Sequence, residues 1–476
     1  MDALAALLER LGDSVTLWFT IPALIGTGLF LTSVTRVVQV RHFGRMLHAI
    51  RHSRRGAEGG ISSFQAFTIS LAARVGIGNI FGVAAALALG GPGAIFWMWI
   101  VALVGTATAF SEATLAQIFK VRHTDGSFRG GPATYMARGL GARWLGMIFA
   151  VLTVITCAFS ITMVQANAIA GVMSHGTGLD AWATAVILAV LTAPVVLGGV
   201  RAVARVTEWL APVMAVVYLA LVAVIVALHL PAVPGILWQF VSQAFAPSPA
   251  VGGIAGGLFA AIINGTRRGL FSNEAGQGTA PNAAATATVA HPVQQGHVQA
   301  LGVLVDTLVV CTATAVVIML AGPEIYTFGV TSPDSAGILT QTAVTSLLGA
   351  WAGIPIAIVI FVLAYSSIIA AATYSEINVA FLTAAPRARW VPRLISSISV
   401  VLGALTSLRL VWNTVDLTMA VMTGTNLLAL VLLYRWTTGA LRHYEAAARQ
   451  ATTPRFTVGD NPYLPQTLPA GAWPDK

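Results

Sequence analysis

Apolar residues along this chain come in blocks of roughly 20, the length that crosses a hydrocarbon core about 30 Å thick. They do not form the short periodic faces of soluble helices or strands. Eleven blocks are predicted as membrane helices: 17–37, 62–90, 93–119, 144–173, 182–200, 206–230, 253–290, 298–321, 353–382, 391–408 and 415–435. The first is read as a retained span and not a cleaved leader, because Asp2, Glu9 and Asp13 precede it and no small-residue cleavage site follows. The expected fold class is therefore an all-α polytopic membrane protein in a lipid bilayer.

Composition supports that reading. Hydrophobic residues make up 57% of the 476 and charged residues 9%, against about 25% charged in a soluble domain. The net charge of +9 does not point to nucleic acid, because the basic residues are spread over several short loops. Those loops set the orientation instead, since Lys and Arg collect on the cytoplasmic side. Arg36, Arg41, Arg45, Arg51, Arg54 and Arg55 fill the first loop. Lys120, Arg122, Arg129, Arg138 and Arg143, then Arg201 and Arg205, then Arg387, Arg389 and Arg393 follow on the same side. Intervening loops at 174–180, 231–249 and 322–333 hold neither Lys nor Arg, and only Arg10 and Arg409 break the rule. The amino terminus is thus expected outside and the carboxyl terminus in the cytoplasm. The tail at 452–476, with five prolines, is expected to be disordered. Cys157 and Cys311 lie in apolar runs and are expected to be buried thiols without a disulfide.

Two segments are unlike the others because glycines and polar residues interrupt them: 74–93, RVGIGNIFGVAAALALGGPG, and 256–278, GGLFAAIINGTRRGLFSNEAGQG. With the first span set aside as accessory, they become spans one and six of a ten-span unit, the placement two inverted five-span repeats give, with a binding site where both helices unwind. The predicted organisation is 1–61 as an accessory helix and basic loop, 62–230 and 250–436 as the two five-helix repeats, and 437–476 as a cytoplasmic tail. A helix broken in lipid exposes N–H and C=O groups that are costly unless paired. At the Gly76–Asn79 unwinding, the following half-helix offers free N–H groups suited to a carboxylate, and the preceding one offers carbonyls suited to a small cation. A zwitterionic amino acid with Na⁺ uses both ends.

Other polar residues within spans fit the same chemistry. Gln165 and Asn167 can hydrogen-bond a substrate, and Ser366 and Ser367 can give hydroxyl oxygens to a cation; the competing role for each is interhelical hydrogen bonding. Arg74, Glu112, Arg267, Arg268, Glu274, Asp306 and Glu376 are ionisable groups inside spans, each in need of a partner or water. Glu112 and Asp306 are expected in ion pairs near the cytoplasmic ends, with Glu112 or Glu274 paired to Arg268 or Arg74. No metal-ligand spacing is present, and His291 and His297 are expected to be solvated in a loop. GIGNIFG only approaches a dinucleotide fingerprint, lacking the preceding strand and the later acidic residue. No nucleophile elbow, zinc-protease motif or P-loop occurs, so no enzyme activity is expected.

The segments ARVGIGNIFGVAAALALGGPGAIFWMW, FSEATLAQIFKV, RGGPATYM, RRGLFSNEAGQGTAPNAAA, HPVQQGHVQALGVLVDTLVVCTATA and YSEINVAFL resemble the bacterial alanine or glycine:cation symporter family of the amino acid-polyamine-organocation superfamily. The resemblance runs over nearly the whole chain after Ile61. It implies a Na⁺-coupled, in some members H⁺-coupled, carrier of small neutral amino acids in the bacterial inner membrane, with eleven spans around a five-plus-five (LeuT-type) core. It further implies substrate carboxylate contacts from the N–H groups of Ile77, Gly78 and Asn79. Cation oxygens are implied from the carbonyls of Ala72 and Val75 and the hydroxyls of Ser366 and Ser367. Gly269, Phe271, Ser272 and Asn273 are implied near the substrate amino group and side chain. One departure bears on specificity: where relatives often carry a Trp after the eighth core helix's Ser-Thr pair, this chain has Ala370 and Ala371, which implies a larger pocket and admits glutamine as a substrate.

Overall fold

The computed structural model describes residues 10–51, 53, 61–123, 126–245, 254–450, 454–458, 461–466, 468 and 472–473. Asp2, Glu9, Arg54 and Arg55 lie outside the described residues. Helices dominate: α1 (Ile21–Val34), α2 (Ser63–Arg74), α3 (Phe81–Gly90), α4 (Gly93–Ile118), α5 (Arg143–Thr177), α6 (Ala181–Leu197), α7 (Gly199–Leu228), α8 (Ile254–Asn273), α9 (Pro292–Leu320), α10 (Gly353–Leu382), α11 (Trp390–Leu405), α12 (Leu408–Leu432) and α13 (Tyr434–Arg449). Among the described residues, eight helices are long and apolar enough to cross a membrane, and α2 with α3, bent by 47° at their junction, makes a ninth. The two other predicted spans are the 17-residue α6 and the 20-residue α8, the latter carrying Arg267 and Arg268.

Helix α2 begins at a capping box, in which Ser62 accepts from the Gln65 N–H at 3.1 Å and Gln65 accepts from the Ser62 N–H at 3.0 Å. These bonds satisfy donors the first turn leaves open. The short strand Ile61–Ser62 pairs in parallel with Ala287–Thr288, joining the entry of α2 to the segment that follows α8. Around these helices α4 packs against both α8 and α9, and α10 packs against α2, α5 and α7, so both interrupted segments are enclosed by other helices.

Three features of the fold differ from what the sequence predicts. The interruption of the second segment is not midway: α8 runs unbroken through INGTRRG to Asn273. It stops where Glu274, Gly276 and Gly278 adopt φ of +57°, +81° and +86°, a left-handed conformation that ends a helix. The tail is not disordered over its described part. Phe456 is buried and its N–H donates to Ala290 O at 2.9 Å, while Trp473 Nε1 donates to Gln117 O at 3.0 Å, so aromatic burial overrides the proline-rich composition. His291 and His297 are fully buried, not solvated. His291 Nε2 meets His443 Nδ1 of α13 at 3.0 Å, and His297 Nε2 meets His42 Nδ1 at 3.0 Å.

Candidate transport site

Helix α2 ends at Arg74, and the chain passes through Val75 and Gly76 into a single 3₁₀ turn, Ile77–Asn79, before α3. The Asn79 side chain caps the gap, its Oδ1 accepting from the Gly76 N–H at 3.0 Å. Glycine is required here for close approach. A Cβ on Gly76 would fall 2.1 Å from Ser367 Oγ, and one on Gly78 would fall 2.9 Å from Ser272 Cα. The first break therefore touches α10 on one side and the end of α8 on the other.

On the α10 side, Ser367 Oγ donates to Ala72 O at 2.8 Å and lies 3.3 Å from Ala73 O, and Ser366 Oγ lies 3.3 Å from Ala72 O. Two hydroxyls and the carbonyls at a helix C-terminus thus converge in one buried place. Such an all-oxygen set fits a hard cation, and the carbonyl dipoles at a helix end favour positive charge. Val75 is buried beside them as the cap residue of α2. From α5, Gln165 Oε1 accepts from the Ile77 N–H at 3.4 Å, so the structure brings Gln165 to the break. Asn167 goes elsewhere, donating to Gly403 O at 3.1 Å and Thr406 O at 2.7 Å at the end of α11.

The four residues expected from α8 divide. Phe271 lies against Gly78 and packs on Trp412 of α12 with ring centroids 4.8 Å apart. Ser272 meets Gly78 through its backbone. Asn273 closes the second break, its Oδ1 accepting from the Ala275 N–H at 3.0 Å and its Nδ2 donating to Thr307 Oγ1 at 3.3 Å. Gly269 is not at either break: a Cβ there would meet Met98 and Val101 of α4 at 3.4–3.6 Å, because it lies on the side of α8 that packs against that helix.

The expected ion pairs are also replaced. Arg268 pairs with Asp416 of α12, its guanidinium 4.3 Å from the Trp412 ring centroid. Arg267 pairs with Asp13 at 2.6 Å. Glu112 accepts from Asn426 Nδ2 at 3.0 Å and the Gly276 N–H at 3.4 Å, and Tyr135 OH donates to Asn426 Oδ1. Arg74 donates through Nη1 to Gln299 O at 3.2 Å and Gln299 Oε1 at 3.0 Å. Glu112 and Asp416 find the neutral or cationic groups that neighbouring helices present, which spacing along one span does not reveal, whereas Glu274 Oε2 is buried without a hydrogen-bond partner among the described residues. The expectation changes most at Asp306. It is not in an ion pair at a helix end but fully buried between the two breaks, where Asn79 Nδ2 and Ser272 Oγ both donate to it at 2.7 Å.

A break in each of two helices, flanked by a carbonyl-hydroxyl cluster and buried polar side chains, is the architecture of a carrier. Residues 1–458 match the sequence model of the Sodium:alanine symporter family. The chain belongs to that family. It is 42% identical over 454 residues to "Amino-acid carrier protein AlsT" of Bacillus subtilis, covering 95% of this chain and 94% of that one. It is 41% identical over 435 residues to "Probable sodium/glutamine symporter GlnT" of the same organism, covering 91% and 89%. Among solved structures it superposes on MhsT in complex with L-phenylalanine with a TM-score of 0.58 at 14% identity, over 82% of this chain and 92% of that one. The fold is therefore the LeuT-type five-plus-five core, with discontinuous first and sixth core helices. The chain is a multi-pass membrane transporter of a sodium symporter family.

Proposed function

We propose that this protein is a Na⁺-coupled importer of a small neutral amino acid, alanine or glycine, in the bacterial inner membrane. Na⁺ sits among the carbonyls of Ala72 and Val75 and the hydroxyls of Ser366 and Ser367. The substrate carboxylate faces the N–H groups of Ile77, Gly78 and Asn79, with Gln165 positioning the first. Phe271, Ser272 and Asn273 line the side toward α8. The observation that carries this reading is the pair of serine hydroxyls directed at the Ala72 carbonyl, beside the 3₁₀ turn Ile77–Asn79.

Alternating access follows from what flanks the site. With the amino terminus outside, as the loop charges imply, the Arg268–Asp416 pair and the Phe271–Trp412 contact close the outward side. The Glu112–Asn426–Tyr135 network with Gly276 closes the inward side. Residues 62–230 and 250–436 form the two repeats. One Na⁺ crossing about 100 mV supplies roughly 2.3 kcal/mol, enough for about a fiftyfold gradient before the Na⁺ concentration ratio is counted.

A wider substrate range is favoured by Ala371, one turn beyond Ser367 on the same face of α10 and buried. Its small side chain leaves room for glutamine, the substrate named for one 41% identical relative. Counterflow in proteoliposomes with alanine, glycine, serine and glutamine decides the substrate. The narrower reading expects exchange of alanine and glycine alone, and the wider one adds glutamine and loses it in Ala371→Trp. Uptake that persists on a pH gradient without Na⁺ makes H⁺ the coupling ion, and failure of net uptake into empty vesicles makes the protein an exchanger or a sensor.

A further inference from the structure

Asp306 lies in the first turn of a π-helical segment of α9, Val305–Cys311, with no measurable exposure. Its Oδ1 accepts from Asn79 Nδ2 at 2.7 Å, and its Oδ2 accepts from Ser272 Oγ at 2.7 Å and Thr307 Oγ1 at 3.0 Å. One carboxylate is therefore bonded to both broken segments at once. All three donors are neutral, and no ion pair within 4.0 Å among the described residues includes Asp306. An asparagine would hold the same two segments, accepting from Asn79 and donating to the Ser272 hydroxyl, at a lower cost of burial in a membrane. The charge is what the amide lacks. A carboxylate has about four acceptor directions, and the three bonds leave one, on the oxygen that faces Asn79.

We propose that Asp306 is the counter-charge for the α-ammonium group of the substrate, and so the residue that makes this carrier select amino acids over hydroxy acids and simple carboxylates. The inference rests on the amino-acid-carrier reading. With the substrate carboxylate at the Ile77 and Gly78 N–H groups, the ammonium group is one carbon away. Gly78 touches Ser272, whose hydroxyl is already bonded to Asp306. The two charged ends of a zwitterion thus meet opposite partners, the positive helix end of α3 and the fixed negative charge on α9.

The test uses the full chain in proteoliposomes, with Na⁺-driven alanine uptake as the signal and L-lactate and propionate as competitors. In the unmodified protein both competitors are expected to bind more weakly than alanine by about tenfold or more, the scale of one hydrogen bond to a charged group. Asp306→Asn keeps the bonds to Asn79 and Ser272. It is expected to raise the alanine half-saturation by about tenfold or more while leaving lactate inhibition unchanged, so that the gap closes. Thr307→Val removes a donor and keeps the charge, and is expected to keep the gap. The inference is overturned if lactate competes as well as alanine in the unmodified protein, if the gap survives in Asp306→Asn, or if that variant changes only the Na⁺ dependence. Should Asp306→Asn not fold, loss of the gap in Thr307→Val overturns it and retention there, with rejection of lactate by the unmodified protein, supports it. An unmodified protein that takes up no neutral amino acid refutes the carrier reading itself, which separates the two failures.

Discussion

Gly76→Ala should weaken Na⁺ binding through one identifiable atom. The new Cβ would lie 2.1 Å from Ser367 Oγ, which must retreat by about 1 Å to reach even 3.0 Å. That hydroxyl is the group bonded to Ala72 O at 2.8 Å, and retreat removes it from the proposed cation shell. Gly76 has a negative φ, −139°, so the left-handed strain that usually penalises such a change is not involved. Losing one buried hydroxyl partner costs about 1–3 kcal/mol, which corresponds to roughly a five- to hundredfold rise in Na⁺ half-saturation. Ser367→Ala removes the same oxygen and should cost about as much. Because both variants act through one atom, the double variant should cost little more than Ser367→Ala alone. The assay is the Na⁺ dependence of alanine uptake at fixed membrane potential for the four proteins of the cycle. Additive effects, or unchanged Na⁺ half-saturation with altered alanine affinity, would refute the assignment of Ala72 and Ser367 to the cation.

Two further outcomes are expected. Asp416→Asn leaves the buried Arg268 guanidinium without its counter-charge and should destabilise the protein by about 3–5 kcal/mol, with an Arg268→Met, Asp416→Leu double variant recovering most of the loss in thermal unfolding; equal instability of the double variant would contradict this. Around α13, burial holds the pKa of His291 and His443 below the ordinary value. Burial and then Arg45 lower His42 to about 4. Imidazoles kept neutral in the fold contribute stability that is full above their free value near 6.5 and is lost as pH falls toward about 4, so the protection of amides in α13 and at Phe456, measured relative to their intrinsic exchange rates, should fall between about pH 7 and 5; protection that rises or stays constant would contradict this.

Much of the fold is legible in the sequence because lipid imposes a length and a composition on each span. The serine pair and the VGIGN break are legible for a related reason, since few polar residues enter a span without a partner or ligand. Contacts between spans are another matter. Asp306 is drawn by its charge toward the arginines in any reading of the sequence, yet its partners are an amide on the first break and a hydroxyl on the second, 227 and 34 residues away. The left-handed Glu274, not the earlier Asn264 and Gly265, ends α8, because enclosure by α3 and α4 keeps the earlier turns helical. The tail is hidden for the opposite reason: Phe456 and Trp473 are two scattered aromatics in a polar, proline-rich stretch, and the surface that buries them comes from the end of α4, the start of α9 and α13.

The central claim is that Na⁺ and a neutral amino acid cross together, and simultaneous flux of radiolabelled Na⁺ and alanine into proteoliposomes tests it most directly. The account predicts net alanine uptake that requires an inward Na⁺ gradient, with Na⁺ entry that requires alanine and a fixed ratio between the two. Alanine entry at the same rate without Na⁺, or Na⁺ entry indifferent to alanine, would contradict it.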